Sequence, residues 1–195
     1  MMNGYRIILA SNSPRRKELL AGIGIDFEVR VLQDIDESYP ADLPIQDTAE
    51  YISKKKAAAY REQLADDELV ITADTIVVVD DEVMGKPADE QDASSMLHKL
   101  SGKTHQVITG VTLTTKERQQ SFSVLTDVTF KQLSDEEIDY YITHYHPMDK
   151  AGAYGIQGLG ERLVERIEGD YNNVVGFPLS AFMRILAQQG MISYD

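Results

Sequence analysis

The residues of this chain that could do chemistry fall in a few short stretches. The first is IILASNSPRRKELL, residues 7–20, where an apolar strand runs into a helix start. Ser13 is a good N-cap, and Pro14 suits the first helical position, where its missing N–H costs nothing. The first turn must then hold Arg15, Arg16 and Lys17. That end of a helix is partly positive, so each cation there costs about 0.3–1 kcal/mol, and Glu18 offsets only part of it. Either the cations are solvated or an anion belongs beside them. On the second reading, Ser11, Ser13 and the helix-start N–H groups cradle phosphate while Arg15 and Arg16 neutralise it. Neither arginine should then support the ligand-free fold.

The second stretch is LVITADTIVVVDDEVMGKPAD, residues 69–88 and the aspartate after them. Asp74 and Thr75 interrupt a run of Val and Ile. A carboxylate inside a buried strand must be paired, protonated or bound to metal; a structural Asp satisfied by backbone N–H groups is the competing reading. Lys86 follows in MGKP, where a solvated loop lysine is the ordinary outcome. Lys56 lies on a helical stripe with Ile52, Ala59 and Tyr60 and points towards the sheet, either as a ligand or with its amine reaching solvent. In KAGAYGIQGLGERL, residues 150–163, Gly152, Gly155, Gly158 and Gly160 surround Gln157. Glycines let a backbone approach a ligand or fold tightly on itself. The Gln157 amide offers a donor and an acceptor side by side, which suits a base edge. Two arginines, two lysines, carboxylates at Glu37 and Asp74 and one polar reader together suit a ligand with several negative charges and a base. A nucleoside triphosphate fits.

These residues must be positioned by alternating strands and helices. Tyr5–Ala10, Asp26–Leu32 and Leu69–Val79 read as strands, with Asp80 and Asp81 turning into Glu82–Met84. Helices are expected over Pro14–Ala21, over Ala49–Leu64 with Thr48 as cap, and along a stripe from Asp92 to Leu100 ended by Gly102. Gln106–Thr115 and Gln120–Lys131 form a hairpin. Ser134 and Glu137 make a capping box for a helix stopped by Pro147. Arg162–Ile167 and Asn173–Val175 read as extended, and Pro178–Gln188 as a last helix. The expected class is α/β with a mixed sheet, in a single domain over 1–195.

Composition narrows the function. The 195 residues carry a net charge of −13, from 32 acidic and 19 basic side chains. Such a surface repels nucleic acid and anionic membrane, so the Arg15–Lys17 cluster is no product of general basicity. Apolar runs are too short to span a membrane, and no signal-peptide pattern opens the chain, so the cytoplasm is the default. Without cysteine there is no disulfide, thiolate metal site or cysteine nucleophile. No P-loop, dinucleotide fingerprint or nucleophile elbow occurs. His144 and His146 lack the spacing of a helical metal pair and are expected at the surface.

The blocks ILASNSPRRKELL, DIDES at 34–38, KKKAAA at 54–59, ADTIVVVDDEVMGKP, LSGKTHQVITGV, DKAGAYGIQGLG and GDYNNVVGFPLS together resemble the Maf proteins, nucleoside triphosphate pyrophosphatases first named for septum formation. The resemblance covers essentially the whole chain. It implies an elongated mixed sheet flanked by helices, in two lobes with a substrate cleft between them, as in inosine triphosphatases. It implies hydrolysis of a nucleoside triphosphate to monophosphate and pyrophosphate with Mg²⁺ or Mn²⁺, and a homodimer. By position, Asp74 is the proton acceptor. Ser11, Arg15, Arg16, Glu37, Lys56 and Lys86 line the triphosphate and metal site, the metal falling to Glu37 and Asp74. Arg15, Thr75 and Gln157 match the specificity positions of the thymidine/uridine branch, whose substrates are dTTP and UTP. The reading from another class is a non-catalytic regulator of cell division that binds nucleotide or nucleic acid.

Overall fold

The computed structural model describes residues 4–192. Seven strands form one mixed sheet: β1 (Arg6–Leu9), β2 (Phe27–Val29), β3 (Glu68–Val79), β4 (Glu82–Met84), β5 (Thr104–Thr114), β6 (Gln119–Phe130) and β7 (Val164–Glu168). Their order is β2-β1-β3-β5-β6-β7, with β4 paired to β3. β1 runs parallel to β2 and β3, whereas the β3–β4 and β6–β7 pairs are antiparallel. The helices are α1 (Pro14–Gly22), α2 (Thr48–Arg61), α3 (Glu90–Leu100), α4 (Asp135–Tyr145), α5 (Tyr171–Val175) and α6 (Leu179–Gln188). The chain packs as two compact units. One comprises residues up to Asp74, Thr109–Val124 and residues from Gly176 onward; the other comprises Thr75–Ile108 and Leu125–Val175.

In the first unit the two-residue period of the strands sorts side chains onto two faces. Ile7, Leu9, Leu69, Ile71 and Ala73 pack with Leu20 of α1 and Phe182 and Leu186 of α6. Ile8 and Val70 point the other way, onto Tyr60 and Leu64 of α2 and the turn that follows it. Thr72 shares the parity of Val70 and donates its hydroxyl to Ser53 O of α2 at 2.8 Å. Ser53 and Thr112 hydroxyls bond at 2.7 Å, and Thr112 bonds Ser121 at 2.9 Å. Asp74 follows in the same parity and so faces α2. The close seat of that helix depends on Gly110 of β5: a Cβ there would lie 2.3 Å from the Ala49 carbonyl carbon and from Glu50 N. Any side chain at 110 would lift α2 off the sheet.

The second unit buries α3 and α4 against the later half of β3, the start of β5 and the end of β6, with Leu97, Leu100, Ile138 and Tyr141 among Val77, Val107 and Phe130. The Ser134–Glu137 capping box is present, and Asp80 and Asp81 both take positive φ in the β3–β4 turn. His105 is 1% exposed in this core. Its ring meets Phe130 and Tyr154 edge-on, its Nε2 bonds the Tyr154 hydroxyl at 2.6 Å, and its Nδ1 has no partner among the described residues.

Four local expectations are revised. Asn173–Val175 is helical, because Asp170 Oδ1 accepts from Asn172 N at 2.8 Å and Asn173 N at 3.3 Å and nucleates a turn. The extended segment expected from Arg162 begins at Val164, after a 3₁₀ turn over Gly158–Arg162. Thr48 is the first residue of α2 and not its cap; the cap position is Asp47, at the end of a 3₁₀ turn, and Ala59 is exposed while Ala57 is buried on the inward face.

Acid stability follows from two buried groups. Burial lowers the His105 pKa from 6.5 to about 4. As pH falls from 6.5 towards 4 the unfolded chain takes up a proton that the folded one refuses, so stability declines across that window. Glu68 at the start of β3 is 4% exposed and held by Arg30, with help from Ala65 N–H and Arg6, at a pKa lowered from 4.5 to about 2. Its contribution is complete above pH 4.5 and drains as pH falls towards 2. His105→Gln should flatten the dependence of Tm on pH between 6.5 and 4 and leave the steeper loss below 4.5; thermal melts across pH 3–8 measure both.

Candidate functional site

The sequence-derived candidates of the first unit converge at the carboxyl ends of β1 and of the first half of β3. Ser13 caps α1, its Oγ accepting from Arg16 N at 3.4 Å, and Pro14 follows at the first position. Buried Ser11 Oγ accepts from Ser13 N at 3.2 Å and from Arg16 Nη1 at 3.4 Å. No acidic residue stands in the first turn of α1. The helix start therefore presents hydroxyls, N–H groups and cations with nothing negative among them.

Asp74 is not satisfied by backbone at a bulge. Its Oδ1 accepts from Lys56 Nζ at 2.8 Å, and both side chains are 15% exposed. Lys56 also reaches Glu37 Oε1 at 3.2 Å and donates to Ala73 O at 3.3 Å. Its position on the inward face of α2, one turn beyond Ser53, delivers it to the strand position that parity points at the helix. Glu37 is 57% exposed and belongs to a segment without regular secondary structure. Two carboxylates thus meet on one ammonium, one set in the sheet and one supplied by a loop.

Arg15 and Arg16 divide. Arg15 is half-buried, and among the described residues its guanidinium makes no hydrogen bond or ion pair. Arg16 turns inward: Nε donates to Gly176 O at 2.9 Å and Nη1 to Ala73 O at 3.3 Å. Burial pulls its pKa below the usual arginine value, and the charge of Asp74 opposes that shift. The Ala73 carbonyl thus receives both Arg16 and Lys56, which fixes the backbone from which Asp74 projects. For Arg16 these contacts argue against the expectation of no structural role. The missed signal is a pair of carbonyl acceptors, which no residue type announces.

In the second unit, Thr75 is half-buried, directly after Asp74 in β3, and Lys86 is exposed after β4. Gln157 is exposed before the Gly158–Arg162 turn. Its loop is tied down by Gly155 N donating to Tyr141 Oη at 3.0 Å and by Gly152 N donating to Gly85 O, next to Lys86, at 3.1 Å. A Cβ on Gly160 would sit 1.6 Å from Gly155 O, so that glycine lets the loop close on itself. Among the described residues no group of three or more His, Asp or Glu is arranged to hold a metal ion. Neither is any helix long and apolar enough to cross a membrane.

A half-buried strand carboxylate on a helix lysine, beside a helix start free of acidic residues, gives this α/β protein a site suited to an anionic ligand. The family profile described as Maf-like protein matches residues 6–189, and the chain belongs to that family. A dTTP/UTP pyrophosphatase of Phocaeicola vulgatus is 62% identical over 176 residues, covering 90% of this chain and 91% of its own. Proteins of the same name from Bacteroides thetaiotaomicron and Vibrio parahaemolyticus are 56% and 50% identical over 179 residues each, covering 91% and 92% of this chain and 93% and 94% of their own. The solved Staphylococcus aureus Ham1 protein shares the fold at 14% identity, with a TM-score of 0.55 over 94% of this chain and 99% of its own.

The split between the arginines sets an expectation for stability. Arg16→Ala should destabilise the ligand-free protein by roughly 1.5–3 kcal/mol, the range for hydrogen bonds made by a charged group. Arg15→Ala should leave Tm unchanged or slightly raised, because it removes a cation from the positive end of a dipole. Denaturant unfolding of both variants without nucleotide measures the difference.

Proposed function

We propose that the protein hydrolyses dTTP and UTP to the nucleoside monophosphate and pyrophosphate. The observation that carries this reading is the Asp74–Lys56–Glu37 cluster beside the Ser11–Arg16 helix start. Water attacks the α-phosphorus; its oxygen bonds to phosphorus as the bond to the α–β bridging oxygen breaks, and pyrophosphate leaves. Asp74 takes the proton of the attacking water, a task within the reach of a carboxylate that Lys56 orients at 2.8 Å. Arg15, Arg16, Lys56 and the N–H groups of the helix start stabilise the spreading phosphoryl charge. The family resemblance adds Lys86 to this set.

A divalent metal fits the donor set. Mg²⁺ and Mn²⁺ favour oxygen, and Mg²⁺ is typically held by one or two carboxylates together with substrate phosphates rather than by a full protein cage. Glu37 and Asp74, converging on a single cation, are the residues that would hold it. When bound, the metal would neutralise phosphate oxygens and lower the pKa of a coordinated water.

Base choice in this proposal rests on Gln157 with Arg15 and Thr75. Uracil and thymine present O4 as acceptor beside N3–H as donor, which one amide can match. Cytosine reverses that pair. The proposed location is the cytoplasm, where nucleoside triphosphates are pooled, and the homodimer implied by the resemblance reads out by sedimentation.

A panel of triphosphates with Mg²⁺ or Mn²⁺ tests the reaction. Pyrophosphate should appear with dTTP and UTP, and release of orthophosphate with a diphosphate product would refute it. Asp74→Asn should lower kcat by ~10²-fold or more, the usual scale for a general base, in a protein that still folds. Gln157→Glu should lower kcat/KM for dTTP and UTP and raise it for 7-methyl-GTP, whose guanine edge offers donors; unchanged ratios would remove Gln157 from base reading.

A further inference from the structure

Glu37 has a task in the proposed reaction but no strand or helix beneath it. The chain reaches it from β2 through a few fixed points: Arg30 N donates to Leu9 O at 3.1 Å, Leu32 N donates to Tyr60 Oη at 2.8 Å, and Ile35 packs on the Tyr60–Leu64 cluster. Asp34, before Ile35, takes φ +58°, a left-handed turn that aspartate tolerates better than most residues. Beyond Ile35 no apolar side chain anchors the backbone as far as Glu37.

Polar contacts do that instead. Asp36 Oδ1 accepts from Ser38 N at 2.9 Å and Oδ2 from Ser38 Oγ at 2.8 Å, closing a turn with Glu37 at its centre. Lys55 of α2 seizes both ends of this turn. Its Nζ donates to Asp36 Oδ2 at 2.7 Å, to Ser38 O at 2.7 Å and to Ser38 Oγ at 3.2 Å. The next residue of the same helix, Lys56, receives the Glu37 carboxylate. Adjacent lysines therefore hold the frame of the turn and the group that the turn presents.

We infer that Lys55 is a positioning residue: by clamping Asp36 and Ser38 it sets the Glu37 carboxylate opposite Asp74. The inference rests on the proposed use of Glu37 in the reaction. The alternative role for such contacts is stability, but Asp36 is 70% exposed, and ion pairs at that exposure contribute little to folding. What they do fix is geometry. Residues that orient a ligating carboxylate typically matter about 10–100-fold for affinity or activity without touching the reacting atoms.

The test is a double-mutant cycle with a direct binding readout. The variants are Lys55→Met, Glu37→Gln and the pair; Asp36→Ala approaches the same contact from its other end and carries the test if Lys55→Met fails to fold. The readouts are kcat/KM for dTTP, Tm without ligand, and Mn²⁺ affinity by electron paramagnetic resonance in the presence of α,β-imido-dTTP. Lys55→Met and Asp36→Ala should each lower kcat/KM and Mn²⁺ affinity ~10-fold or more, with Tm within about 2 °C of wild type. In the Glu37→Gln background Lys55→Met should add less than about 2-fold, since the carboxylate it positions is gone. Wild-type activity and Mn²⁺ affinity in Lys55→Met, losses that multiply in the double variant, or a large fall in Tm would each overturn the inference while leaving the proposed function standing. Wild-type turnover by Glu37→Gln would instead overturn the proposed use of Glu37, and the positioning role with it.

Discussion

A carboxylate placed within an apolar strand needs a cation, and the union of Asp74 with Lys56 is the constraint around which the first unit is arranged. To bring a helix lysine to a strand carboxylate, α2 must lie close to the sheet, in the right rotation and at the right height. Gly110 permits the close approach, and the buried Ser53, Thr72 and Thr112 hydroxyls fill the thin layer between helix and sheet with hydrogen bonds instead of bulk. Strand parity then aims Asp74 at the helix, and the helical repeat brings Lys56 over it one turn beyond Ser53.

The same logic accounts for cations gathered at the positive end of α1. Arg16 is tolerated there because it is bound to carbonyls, at Gly176 and Ala73, rather than left facing the helix dipole. One of those carbonyls adjoins Asp74 and is shared with Lys56. Arg16 thus helps to fix the backbone that carries Asp74, whereas the half-buried Arg15 guanidinium has no such ties among the described residues. Neighbouring cations thus take different partners, as Lys55 and Lys56 do again on α2.

Much of this was legible in the sequence where the signal is local. Ser13 and Pro14 announce α1, Ser134 with Glu137 announces α4, and a strongly apolar run, broken at Asp74 and Thr75, announces β3. Lys56 was recognisable as inward-facing because helical spacing aligns it with Ile52 and Tyr60. What escaped the sequence depends on partners distant along the chain. The acceptors of Arg16 are main-chain atoms, which every residue carries. The helix at Tyr171–Val175 hangs on the Asp170 side chain, a choice that β-branched Val174 and Val175 obscure. His105 could have been found: it alternates with Val107 in β5, and that period places it in the core. The DIDES segment displays its charges plainly, but only the fold reveals which of them is held by which lysine.

The route of the chain bears on how the protein is made. The first unit is assembled from residues up to Asp74, a middle hairpin and everything from Gly176 onward, and the second unit lies in the two intervals between. Helix α6 supplies Phe182 and Leu186 to a core whose other wall, β1, lies far before it along the chain. That face of β1 meets Leu20 of α1 early, but its cover is completed only by α6. Since domains ordinarily fold as units while synthesis proceeds, this protein departs from the usual order. The side of β1 that carries Ile7 and Leu9 stays incompletely covered until α6 has been synthesised. No single cut of the gene separates the two units into independent halves.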